Sequence, residues 1–97
     1  MDNIEELLKK LNIDEPGTYK NHFYVIFLKD SNEYAKMYTN LDKHAVNTEY
    51  PEFTNTSAGN TTNLTTYFET ELDGVEYSLF LMADFNNDVY KLKISEK

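Results

Sequence analysis

Ninety-seven residues provide for one domain and no more, so the chain reads as a single unit over residues 1–97. The net charge is −8 and all nine basic residues are lysine, with no arginine fork for phosphate or guanine, which excludes direct nucleic-acid readout. Cysteine is absent, so neither disulfides nor thiolate metal sites can hold the fold together.

The amino terminus reads Met1-Asp2-Asn3-Ile4-Glu5-Glu6, acidic and without a following apolar run, unlike a secretory signal. The expected location is therefore the cytoplasm. Asp2 or Asn3 can cap a first helix, whose apolar stripe is Ile4, Leu7, Leu8 and Leu11. Glu5 and Glu6 fall near its positive end, Lys9 and Lys10 near its negative end. Glu15-Pro16-Gly17 supplies the stop.

Residues 22–29 form a β-branched and aromatic run with apolar side chains on both faces, which predicts a strand that is central or covered on both sides. Its apolar core, residues 23–28, is too short to span a bilayer as a helix. Asp30-Ser31-Asn32-Glu33 then reads as a turn and residues 34–40 as a returning strand, with Leu28 facing Ala35 and Ile26 facing Met37. Residues 41–46 fit either a helical turn or an edge strand. Residues 47–63 are rich in Thr, Asn and Ser and read as an irregular loop, with Tyr50 and Phe53 as pins onto the core ahead of the alternative that they are contact residues. Three Asn-x-Ser/Thr triplets there, starting at Asn55, Asn60 and Asn63, are loop composition in a chain without a secretion signal.

Residues 64–72 and 75–85 flank Asp73-Gly74, a favoured pair for a two-residue type I′ hairpin turn. That turn fixes the register. One face carries Leu64, Phe68 and Leu72 against Val75, Tyr77, Leu79, Leu81 and Ala83, extended by Tyr90, Leu92 and Ile94 on a final strand after Asn86-Asn87-Asp88. The helix stripe should cover this face. The predicted fold is α+β: a short N-terminal helix packed on an antiparallel sheet of about five strands, in the order helix, hairpin, long loop and three-stranded meander.

The opposite face carries Tyr67, Glu69, Glu71, Glu76, Phe80, Met82 and Asp84, with Glu71 directly opposite Glu76. Like charges so placed oppose pairing by up to roughly 1 kcal/mol. Residues 44–90 hold eight acids and no lysine, a run of 47 residues without a compensating cation. The candidate partner-binding residues are therefore Glu69, Glu71, Asp73, Glu76 and Asp84 with Tyr67, Phe80 and Met82, extended by Glu49 and Glu52. A solvated, solubilising sheet face is the competing explanation. Lys91 and Lys93 should lie beside Phe80 and Met82, concentrating the acidity at the Asp73 end.

No catalytic constellation is present. His22 and His44 lie in separate segments without zinc-ligand spacing, and the three glycines are too scattered for a phosphate loop. Asp84-Phe85-Asn86-Asn87-Asp88 imitates the start of a calcium loop, but Val89 and Ser95 stand where its glycine and bidentate glutamate belong. No enzyme activity, metal or cofactor is expected.

These features point to a small acidic protein-binding module whose partner has a basic, nucleic-acid-binding surface. In size and charge the chain resembles bacterial immunity proteins against nuclease toxins and phage-encoded, anti-defence inhibitors of the host, some of them DNA mimics. Its lysine- and asparagine-rich coding bias suits such a source, though no motif matches any of these families. The alternative is a self-assembling or accessory structural module, a homodimer formed through an edge strand or the Tyr67-Phe80-Met82 patch.

Overall fold

The computed structural model describes residues 3–50 and 63–97. Two helices lie on one face of a six-stranded antiparallel sheet, so the α+β expectation holds. The elements are α1 (Ile4–Lys10), β1 (Thr18–Lys20), β2 (Phe23–Leu28), α2 (Ser31–His44), β3 (Asn47–Glu49), β4 (Asn63–Leu72), β5 (Val75–Asp84) and β6 (Val89–Glu96), and the strand order is β1-β2-β6-β5-β4-β3.

The α1 stripe packs as expected: Ile4, Leu7 and Leu11 are buried in the core and Leu8 lies against it. Asn3 occupies the N-cap position without a side-chain hydrogen bond. The stop comes earlier than Pro16-Gly17. Asn12 takes a left-handed φ of 55°, its amide donating to Lys9 O (3.1 Å) and that of Ile13 to Leu8 O (2.9 Å). This is a Schellman ending, with Ile13 buried behind it. Gly17 serves a different purpose: a Cβ there would sit 2.7 Å from the Val25 carbonyl oxygen, so only glycine lets the chain pass this close to β2.

The segment 34–40 is a correction. It is not the return strand of a hairpin but the middle of α2, and the pairings of Leu28 with Ala35 and Ile26 with Met37 do not form; Ile26 pairs with Leu92 and Leu28 with Tyr90. Asp30 is a helix cap, its Oδ1 accepting from Glu33 N (2.9 Å), while Glu33 Oε2 accepts from Lys29 N (3.0 Å). That reciprocal arrangement resembles a capping box. Tyr34, Met37 and Leu41 then fall on one buried stripe. The hairpin partner of β2 is instead β1, through a turn at Asn21 and His22, whose φ values of 48° and 70° suit a type I′ geometry.

Residues 41–44 complete α2, and Asn47–Glu49 is an edge strand on β4 rather than loop. Tyr50 follows it, stacked 6.5 Å from Tyr38 with its hydroxyl donating to Asp42 (2.7 Å). It is pinned to α2, although its ring stays largely exposed. Phe53, Glu52 and the triplets starting at Asn55 and Asn60 lie outside the described residues.

The meander forms in the expected register, with Glu71 opposite Glu76 and Leu72 opposite Val75 around a turn of Asp73 (φ 51°) and Gly74 (φ 82°). Phe68, Tyr77, Leu79, Leu81, Leu92 and Ile94 are fully buried beneath the helices. Among the described residues, helices cover this face alone. Strand β2 lies inside the sheet with neighbours on both edges, which meets the first of its two expected alternatives, while Phe27 on the other face is 66% exposed.

Candidate functional site

Antiparallel pairing converts the alternation of β4, β5 and β6 into rows across the uncovered face. One row runs Val25, Lys93, Phe80, Tyr67 and Glu49; the next runs Phe27, Lys91, Met82 and Thr65. Tyr67 and Phe80 are in ring contact at 5.2 Å, Phe80 lies 6.4 Å from Phe23, and the Tyr67 hydroxyl shares a 3.0 Å hydrogen bond with Ser78 Oγ. The candidate residues Tyr67, Phe80 and Met82 thus form one half-buried aromatic and thioether strip. Lys91 and Lys93 stand beside Met82 and Phe80, as expected.

The acidic residues divide. Glu69, Glu71 and Glu76 gather on the open face at the β4–β5 end, with Asp73 in the turn beside them. Asp84 lies at the other end of β5, eight residues from Glu76 and so roughly 27 Å away along the strand. Its carboxylate accepts from Asn87 N (3.2 Å) and Asn87 Nδ2 (2.8 Å), which fastens the turn before β6. Those hydrogen bonds from Asn87 hold its carboxyl below the usual range. Asp84 is therefore employed in a turn, away from the Asp73 cluster. The calcium-like segment is this same turn.

Sequence reasoning did not find the cation in the cluster, Lys97. Its Nζ lies 2.8 Å from Glu69 Oε2 and 3.7 Å from Glu76 Oε2, and its amide donates to Glu76 O (2.9 Å). The hydrogen bond from Lys97 lowers the Glu69 pKa, and the same bond raises that of Lys97. Asn47 Nδ2 approaches Glu69 from β3 (3.5 Å). Lys10 of α1 reaches around to donate to the Glu71 carbonyl. Only the carboxylates of Glu71 and Asp73 lack an ion pair here among the described residues. The partial neutralisation was signalled by the β6 alternation, which continues past Ser95 to Lys97 on the same face.

Comparison with protein-family models, curated proteins and solved structures finds no match.

His22 and His44 are far apart in the fold, one in the β1–β2 turn and the other at the end of α2 with Nδ1 2.9 Å from Asn40 O. Among the described residues no three His, Asp or Glu side chains are grouped so as to hold a metal ion. No described helix is long and apolar enough to cross a membrane, which says nothing of a β-barrel. Chemically, the open face offers carboxylates at one end, an aromatic strip in the middle and lysines toward β2.

Proposed function

We propose that the chain is a small protein-binding module that engages a cationic surface on a partner protein through the β4–β5 end of its open sheet face. One observation carries this reading. Glu69, Glu71 and Glu76 share a face with Tyr67 and Phe80, and no helix among the described residues covers that face. Carboxylates steer a cationic partner and fix its orientation, while the half-buried rings supply the area to exclude water around the contact. Lys97 pairs with Glu69 closely and with Glu76 more loosely, which leaves Glu71 and Asp73 as the carboxylates of the cluster without an ion pair among the described residues. The role that fits is a cytoplasmic inhibitor or immunity protein, of the anti-defence, DNA-mimic-like kind that phages and mobile elements encode. It would act by occlusion of a basic, nucleic-acid-binding surface, without catalysis.

The test begins with capture of partners at low salt and proceeds to affinity measured against ionic strength. Replacing Glu71→Lys and Glu76→Lys together should lower affinity by at least about tenfold, with a shallower salt dependence. A genuine partner whose affinity ignores both salt and this double substitution rules the mechanism out.

A second reading rests on the same face being anionic at one end and cationic at the other. Two copies related by a two-fold axis along the strands would oppose those ends. Sedimentation over a range of concentrations separates the readings, since a tight dimer supports self-assembly and a persistent monomer excludes it.

A further inference from the structure

We propose that the β1–β2–β6 end of the open face is a pocket for a small carboxylate carried on an apolar, aromatic body. Strand alternation brings Lys91 and Lys93 of β6 onto this face opposite Phe27 and Val25, while β1 places Lys20 opposite Phe23. Together these residues line a cavity of about 240 Å³. Lys93 Nζ stands 4.3 Å from the centre of the Phe23 ring, a cation–π contact that restrains the ammonium group over an apolar wall. The β1–β2 turn, with both central residues in left-handed conformation, brings Asn21 to the rim.

Three lysines line one small cavity, and no carboxylate of the described residues lies within 4.0 Å of any of their ammonium groups. In a chain of net charge −8, with acids in excess nearly everywhere else, this local cationic excess calls for a counter-charge. Lysines on a sheet often protect an exposed edge from pairing with another chain. That explanation covers Lys20 on edge strand β1. It does not cover Lys91 and Lys93, because β6 is the third of six strands, paired on both sides.

The ligand class follows from the walls. The cavity is smaller than the roughly 300–1,000 Å³ of drug-sized sites, so it accepts a group the size of one aromatic acid. Lysines act as point charges without a directional fork, and therefore attract any oxyanion. Phe23, Val25 and Phe27 make the distinction, rewarding an apolar body next to the charge. The exposed Phe27 ring would be covered by such a ligand. This inference goes beyond the partner-binding reading and is tested without the partner, so either can fail alone.

The experiment is a titration of the ¹⁵N-labelled full chain, at fixed ionic strength, followed by amide chemical shifts. Benzoate should give saturable shifts confined to residues around Lys20, Phe23, Lys91 and Lys93, with affinity about fivefold or more above acetate. Benzylammonium, alike in shape and opposite in charge, should give none there. Replacing Lys91→Met and Lys93→Met together should weaken benzoate at least about tenfold while the remaining spectrum stays folded. A capped tripeptide with glutamate between two phenylalanines distinguishes sources: binding tighter than benzoate supports the same site filled by a partner's acidic side chain. Inorganic phosphate binding as tightly as benzoate would overturn the assignment of an aromatic carboxylate. Shifts that fail to saturate, or a double variant that binds like the parent chain, would overturn the pocket itself.

Discussion

Asp84 shows how one side chain can look like a contact residue and serve the backbone instead. Its carboxylate accepts two hydrogen bonds from Asn87 and closes the turn between β5 and β6. Because these bonds favour the ionised form, its folded-state pKa lies below the unfolded value. The stabilisation is therefore fully present above the ordinary aspartate range and is lost as pH falls below about 3.9 toward the folded-state value. Substituting Asp84→Asn removes that titration. In urea denaturation the parent chain should be more stable than Asp84→Asn at pH 7, and the gap should narrow as pH falls below the ordinary aspartate range. A gap that does not change with pH would mean the carboxylate is not held this way. The bond from Lys97 depresses Glu69 in the same sense, but that contribution is common to both chains and cancels in the comparison.

At the scale of elements, the same four residues carried two meanings. Asp30-Ser31-Asn32-Glu33 is turn chemistry and also a capping sequence, because an aspartate oxygen that accepts from an amide three residues on serves both. The spacing beyond it decides: Tyr34, Met37, Tyr38 and Leu41 recur at helical intervals, whereas a strand would need alternation. The tyrosines of residues 34 and 38 favoured strand by propensity, and packing against the sheet overrode that preference. The meander was legible because Asp73-Gly74 admits one register, which sorted every side chain from 64 to 94 onto its face. The β1–β2 hairpin was not, since Asn21-His22 is an uncommon pair for a turn needing two positive φ values. If Asp30 holds α2 in place, Asp30→Ala should destabilise the fold by about 1 kcal/mol, and Asp30→Ser should recover most of it. Equal losses for both substitutions, measured in urea, would show that the side-chain bond to Glu33 N is unimportant.

For the molecule as a whole, the proposed function sets stability and recognition against each other through the distribution of charge. The sequence located the acidic cluster because alternation and register are local properties. It did not show Lys97 reaching Glu69, since that contact depends on how far β6 runs alongside β5. With Glu69 paired and Glu76 3.7 Å from the same ammonium group, Glu71 still stands directly opposite Glu76, two carboxylates at a cross-strand pair. Changing Glu71→Lys turns that repulsion into an attraction and should raise stability by about 1 kcal/mol at low ionic strength. The gain should shrink in about 0.5 M salt, where screening acts over only a few ångströms. Under the proposed function the same substitution should weaken partner binding, so a residue unfavourable to the fold is retained for what it contacts. Thermal denaturation of the parent chain and Glu71→Lys at two salt concentrations decides the first half. A substitution that fails to stabilise at low salt would show that Glu71 and Glu76 already avoid each other, leaving their conflict no basis for a role in recognition.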